Sequence, residues 1–214
     1  MALKILAIVG DYYHDENMCR HVLDATITNI ENVSLTYVHE SSLVHQLSEK
    51  PDLVILFKGN KLHPKDPHSP VWMDEETAII ISKYVKEGGA WFAWHSGLAS
   101  YEVKTYVDML QGYFEYHPKL SRITYTADKN NDIINPELEY EIIDEHYFID
   151  CDKENTDVFL YSRSKEGQSI AGWKHLYGDG RVLCFTPAHL TEGLMNSQTV
   201  EILIESIKWC LRKN

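Results

Sequence analysis

The stretch Gly88-Gly89-Ala90-Trp91-Phe92-Ala93-Trp94-His95-Ser96-Gly97 decides how this chain is read. Five apolar residues, Ala90 to Trp94, follow a glycine pair and read as a buried strand. The strand breaks at His-Ser-Gly, and the pattern after it predicts a helix over 98–110. A sharp strand-to-helix turn lifts one side chain above the end of a sheet, as in a nucleophile elbow. Elbows usually carry Ser or Cys; here the apex is His95, with Ser96 beside it. The turn is of the kind that presents a nucleophile, while the residue presented is an imidazole.

Outward from the elbow, apolar runs predict strands over 3–9, 33–38 and 52–57, separated by helical patterns over 17–30, 41–50 and 74–87. Residues 58–71 carry three prolines and read as a loop. Beyond Gly112 the pattern changes to strands over 121–127, 140–149, 157–164, 169–174 and 181–186, the last two joined by Tyr177-Gly178-Asp179-Gly180. A helix over 197–211 closes the chain. The βα alternation of the first half implies a mainly parallel sheet with helices on both faces, and the later strands an antiparallel extension. The expectation is one three-layer α/β sandwich over residues 1–214, with no linker or repeat.

Composition narrows the function classes. Twenty Lys and Arg against 32 Asp and Glu give a formal charge of −12, and no basic cluster occurs, which argues against nucleic acid as a partner. No apolar run reaches transmembrane length, so no membrane partner is expected. The first residues enter a strand without a signal-peptide pattern. The four cysteines are scattered, with no C-x-x-C, and read as reduced thiols of a cytoplasmic protein. Eleven histidines are more than usual.

In open α/β sheets, sites lie beyond the carboxyl ends of the strands. Gly10-Asp11-Tyr12-Tyr13-His14 follows the first strand, His95-Ser96 the elbow strand, and Thr186-Pro187-Ala188-His189 the last. His117, before Pro118, and Asp144-Glu145 are further candidates. Each also has a plain structural reading. His95 could fix the elbow by bonding to backbone, Ser96 could cap the next helix, His117 could anchor a turn, and Glu145 could sit in an ion pair. The aromatic residues Tyr12, Tyr13, Trp72, Trp94, Tyr116 and Trp173 could stack on sugar rings, although most are expected in the core.

In place and order, Ala93-Trp94-His95-Ser96-Gly97 corresponds to the G-x-C-x-G elbow of class I glutamine amidotransferases. With His95 at the Cys position no thioester can form, so amidotransferase activity is not expected. His189 and Glu192 are one residue further apart than that family's H-x-E pair. The chain as a whole resembles the ThuA-like (trehalose utilisation) proteins, which are relatives of those amidotransferases. The resemblance rests on His14, on Gly88-Gly89 through His95-Ser96, and on Tyr106-Val107-Asp108-Met109-Leu110-Gln111-Gly112-Tyr113-Phe114 leading to His117-Pro118. It continues through Asp144-Glu145-x-Tyr147, Ala171-Gly172-Trp173, Tyr177-Gly178-Asp179-Gly180-Arg181-Val182 and His189. Ala188 departs from it, standing where the family often has Gly. The resemblance implies a flavodoxin-like, class I glutamine amidotransferase-like fold and a link to sugar metabolism, including disaccharide breakdown through 3-keto derivatives.

Two functions follow as expectations. The first is an enzyme, a lyase or hydrolase acting on a small (keto)sugar, with His95, His189 and Glu145 as acid and base and Ser96 as a hydrogen-bond donor. Asp11, Tyr13, His14, His117 and Tyr147 would contact the ligand. His14, His95 and His189, with a carboxylate from Glu145, make an N/O set suited to zinc or another divalent metal. Their dispersed spacing lacks a compact ligand motif, so the sequence leaves the cofactor open. The second function is a sugar-binding or interaction protein without turnover. A homo-oligomer is left open.

Overall fold

The computed structural model describes residues 2–213. Its central sheet has nine strands in the order β2-β1-β3-β4-β11-β10-β9-β6-β7. The parallel half comprises β1 (Leu3–Val9), β2 (Val33–Tyr37), β3 (Leu53–Phe57), β4 (Ala90–Trp94) and β11 (Gly180–Phe185). This is the flavodoxin-like order, with β11 entering as the fifth strand. The antiparallel extension adds β10 (Gly167–Tyr177), β9 (Asp157–Ser164), β6 (Ser121–Ala127) and β7 (Glu139–Asp144). Beside it, β5 (Gly112–Tyr116) and β8 (Phe148–Cys151) form a separate antiparallel pair.

Alternation along the parallel strands sends side chains into two core layers. Ile5, Ala7, Leu53, Ile55, Phe57, Phe92, Trp94 and Leu183 face one layer, under α1 (Glu16–Ile27) and α6 (Ser197–Cys210). Leu6, Ile8, Val54, Leu56, Trp91, Ala93 and Val182 face the other, under α2 (Leu43–Leu47), α3 (Glu75–Lys86) and α4 (Lys104–Leu110). Both faces are covered, which is why β3 and β4 read as unbroken apolar runs. A short α5 (Thr191–Leu194) lies between β11 and α6. Three helices start on side-chain caps: Asp15 Oδ1 accepts from Met18 N at 2.9 Å, Asp74 Oδ1 from Thr77 N at 2.8 Å and Asn196 Oδ1 from Gln198 N at 2.9 Å. No helix among the described residues is long and apolar enough to cross a membrane. All four cysteines are free.

The structure corrects the sequence reading in three places. The helix expected over 98–110 begins only at Lys104. His95–Gly97 is one turn of 3-10 helix, and Ser100 takes φ 64°. Tertiary bonds pin this segment instead: Tyr101 Oη donates to Lys58 O at 2.6 Å, and Tyr106 Oη to Gly97 O at 2.9 Å. The strand expected over 140–149 breaks after Asp144, and its second part, β8, pairs with β5, which periodicity did not reveal. The helix expected over 41–50 shortens to a 3-10 turn, Glu40–Ser42, followed by α2.

Candidate functional site

The carboxyl ends of β1, β4 and β11 bring His14, His95 and His189 together. Their rings sit 4.7 to 5.6 Å apart by centroid. The elbow owes its tightness to Gly97, where a Cβ would stand 2.2 Å from Leu56 O on β3. His95 occupies the apex at φ 45°, the left-handed conformation an elbow imposes and a non-glycine residue adopts at a cost.

Each of two rings is anchored through its Nδ1. His95 Nδ1 lies 2.6 Å from Thr186 O. A carbonyl only accepts, so Nδ1 carries the hydrogen, and in the neutral ring Nε2 is a lone pair. His95 is fully buried, stacked between Phe57 at 5.5 Å and Tyr147 at 4.5 Å. Burial pushes its pKa well below the ordinary 6.5, the neighbouring His14 adds to the push, and the Thr186 bond opposes it. The ring is therefore neutral near pH 7. His14 Nδ1 lies 2.7 Å from Asp11 Oδ1, so its Nε2 also faces inward. That Asp11 oxygen accepts the Tyr13 and His14 backbone N–H as well, and Oδ2 accepts Gly59 N–H at 2.8 Å, tying the end of β1 to that of β3. Burial pushes the Asp11 carboxyl up, but the His14 ring and these N–H groups outweigh it and hold it well below the usual carboxylate range.

The extension supplies the rest. Glu145 lies in the loop after β7, not within a strand. Its Oε2 is 3.4 Å from His189 Nδ1, 3.7 Å from His95 Nε2 and 3.8 Å from His117 Nε2. Tyr147 is buried and sets its hydroxyl 3.3 Å from His95 Nε2. His117 stacks on the other side of Tyr147 at 5.6 Å, and its Nδ1 lies 2.9 Å from Pro118 O. His189 Nδ1 lies 2.9 Å from His14 Nε2. Burial lowers the His189 pKa, the Glu145 charge raises it, and His14 lowers it again, leaving it below the ordinary value.

Asp144 is named in the sequence reading only as part of the Asp144-Glu145 pair and without a role of its own, yet it ties the two halves together. Its Oδ1 accepts the backbone N–H of Glu145 at 2.9 Å and of His189 at 2.7 Å, and its Oδ2 accepts from Tyr125 Oη at 3.1 Å. Burial pushes this carboxyl up to about 7, against the lowering by those three donors, and the Glu145 charge adds to the rise. The signal was present in the sequence. Tyr140, Ile142 and Asp144 share the inward parity of β7, and a charge at a core position needs an explanation.

These residues surround a cavity of about 350 Å³, lined by Asp11, His14, Ser96, Phe114, His117, Glu145, Tyr147 and His189, with Tyr12, Tyr13 and Lys61 at its side. The size is at the lower end of ordinary ligand cavities, roughly 300–1,000 Å³. Ser96 caps no helix; its buried hydroxyl has no hydrogen-bond partner among the described residues and lines the cavity. Tyr12, Tyr13 and Tyr116 are more than half exposed, whereas Trp94 and Trp173 are fully buried and unavailable for stacking on a ligand. Glu192 is exposed at the start of α5, outside the lining. None of the four cysteines lines the cavity, and burial pushes the thiol of Cys184, near the end of β11, well up.

Comparison with known proteins agrees with this architecture. A family model described as ThuA, trehalose utilisation, matches residues 8–210. No curated protein matches the sequence. Among solved structures, a ThuA-like protein from Parabacteroides merdae is 16% identical with a TM-score of 0.74, over 99% of this chain and 90% of that one. A cytoplasmic protein from Salmonella typhimurium is 13% identical at TM-score 0.69, over 97% of this chain and 99% of that one. A β-galactosidase from Rahnella is 14% identical at TM-score 0.67, over 97% of this chain but 32% of the larger enzyme. At these identities the likeness is one of fold.

Proposed function

The chain belongs to the ThuA (trehalose utilisation) family, and from that premise we propose that it is an enzyme acting on a small carbohydrate of the 3-keto-glycoside type. The observation that carries the reading is the placement of one cavity-lining carboxylate, Glu145, 3.4 to 3.8 Å from three imidazoles, of which His117 and His189 also line the cavity and His95 is buried behind them. A ketone at C3 acidifies the C2 proton. Glu145 takes that proton, and the C–H electron pair forms an enolate. The enolate then expels the C1 substituent, whose oxygen leaves with the C1–O pair and collects a proton from His117, the more exposed partner of Glu145. Ser96, with its unpartnered hydroxyl, is placed to hydrogen-bond a sugar oxygen. Tyr13 supplies an exposed ring at the side of the cavity. The enolate oxygen needs a positive or hydrogen-donating partner. The Ser96 hydroxyl is one such donor, and the inward nitrogens of His14 and His95 offer a second through a proton added to a ring or a cation the rings hold. The free thiols support a cytoplasmic setting.

The test is a panel of 3-keto-glycosides and their parent disaccharides, incubated with pure protein and followed by chromatography. Glu145→Gln is expected to lower turnover by about 10²–10⁴-fold, the usual worth of a positioned base. His95→Ala and His189→Ala should each remove most activity, and the double variant should be little worse, because members of one unit are not additive. A sugar that binds at this cavity and is recovered unchanged would replace the enzyme with a binding protein.

A further inference from the structure

We propose that His14 Nε2, His95 Nε2 and His189 Nδ1 are the three protein ligands of a divalent transition-metal site, of the zinc type, with a fourth position open to the cavity and Glu145 beside it rather than in it. The inference rests on the sugar reading only for its use; the site itself follows from the geometry. One ligand atom from each of the three histidines lies within 4.8 Å of the others, and His14 Nε2 and His189 Nδ1 are 2.9 Å apart. Tetrahedral bonds of about 2.0–2.1 Å place neighbouring ligand atoms roughly 3.3 Å apart, so sub-ångström ring movements close the set on one ion.

Two further features separate this cluster from histidines packed by chance. First, the outward nitrogens are already engaged. His14 Nδ1 is on the Asp11 carboxylate at 2.7 Å, and His95 Nδ1 is on the Thr186 carbonyl at 2.6 Å. Such partners fix the tautomer that leaves Nε2 to bind a metal, the arrangement seen around metal-bound imidazoles. Asp11 is itself fixed by three backbone N–H groups. Second, the inward nitrogens are held mainly by one another: His14 Nε2 and His189 Nδ1 share one proton at 2.9 Å, and His95 Nε2 has the Tyr147 hydroxyl at 3.3 Å, so a cation entering the cluster displaces only one shared proton and one long hydrogen bond. All-nitrogen imidazole sets suit zinc and its first-row neighbours, and three protein ligands with one open position mark catalytic rather than structural zinc. A metal held here supplies the Lewis acid that a developing enolate or a bound hydroxyl needs. Glu145 is close to His189 and His95, but it is not part of the mutually close set. It flanks the open position, where a proton acceptor is useful.

The experiment needs no substrate. Full-length protein is stripped with chelator, dialysed and titrated separately with Zn²⁺ and Co²⁺, with bound metal and the visible spectrum of the cobalt form recorded. The expected result is one equivalent of metal, a tetrahedral-type cobalt spectrum, and loss of stoichiometric binding in His14→Ala and His189→Ala. Asp11→Asn, which spares all three ligands, should weaken binding by about 10–100-fold. Glu145→Gln and the double variant of the exposed loop residues, His63→Ala with His68→Ala, should bind like the parent. No saturable binding by the parent protein, or binding unchanged by His189→Ala, overturns the site. Loss of metal in Glu145→Gln overturns the open fourth position. Sugar turnover by a parent protein that binds no metal would refute the site and leave the sugar reading standing; a silent sugar panel with one bound equivalent would do the reverse.

Discussion

The two halves of the sheet are built under different constraints. In the parallel half, β3 and β4 are buried at every position. In the extension, β7 alternates exposed and buried residues, and the β5 arm buries only Gly112. The fully covered half supplies the three converging imidazoles from the ends of β1, β4 and β11. The half-covered extension supplies Glu145, Tyr147 and His117. Strands without a free face cannot shift without repacking both core layers, so the imidazoles are fixed within narrow limits. The wall opposite them hangs on a sheet edge and on Asp144. A centre fixed by two covered faces is thus paired with a wall that only one covered face holds.

The first way to break that comparison is to ask whether the halves unfold separately. Phe92 is buried in the parallel half and Phe159 in the extension, both in the same core layer. Truncation of either to Ala is expected to cost about 3–5 kcal/mol. A continuous nine-stranded sheet predicts one shared denaturant transition for both variants; two separate transitions in Phe159→Ala would show that the extension is an independent unit. A smaller effect sharpens the role of the junction. Asp144→Ala leaves two backbone N–H groups and the Tyr125 hydroxyl without their acceptor, at a cost of about 3 kcal/mol, and should lower the melting temperature as well as activity. Asp144→Asn keeps an acceptor for both N–H groups and should recover most of the stability. Equal losses in the two variants would mean that the charge, and not the hydrogen bonds, holds the halves.

The smallest effect concerns acid. Burial pushes the His175 pKa below the ordinary 6.5, with the Met109 carbonyl opposing the shift. The unfolded chain then takes up a proton near pH 6.5 that the folded chain refuses. Stability from this group is complete above that pH and is lost as pH falls through the lowered folded value, with a slope of at most about 1.4 kcal/mol per pH unit. His175→Gln, measured by urea unfolding between pH 7.5 and 5, should flatten the acid limb. An unchanged slope would assign that limb to His95, His146 and His189, whose pKa values are lowered in the same direction.

Legibility in the sequence follows the same division. Unbroken apolar runs identified β3 and β4 because nothing but a doubly covered strand fits them, and the polar residues after each parallel strand marked His14, His95 and His189. The arm formed by β5 and β8 escaped notice because its pairing joins residues such as Gly112 and Cys151, far apart in sequence, and its exposure follows no simple period. The segment over 98–103 carries a helix-compatible pattern, but Tyr101 is held by Lys58 O, a bond that no local rule contains. Glu145 stood among the sequence candidates and Tyr147 joined it through the family resemblance, but their loop placement, just after β7 ends at Asp144, was not legible. Asp144 itself stood at a core parity and went unassigned, because its partners, His189 and Tyr125, lie 45 and 19 residues away.

Amide hydrogens in loops normally trade with solvent early, since a loop opens without unfolding anything else. The amides of Glu145 and His189 are loop amides of another kind. Both point at one oxygen of a carboxylate with no exposed surface. The Glu145 bond is local to the extension, whereas the His189 hydrogen crosses to it and stays protected while the extension is docked on the parallel half. The exchange clock of His189 should therefore run slower than those of the loops around it, and its rate would time how often this molecule comes apart along its seam.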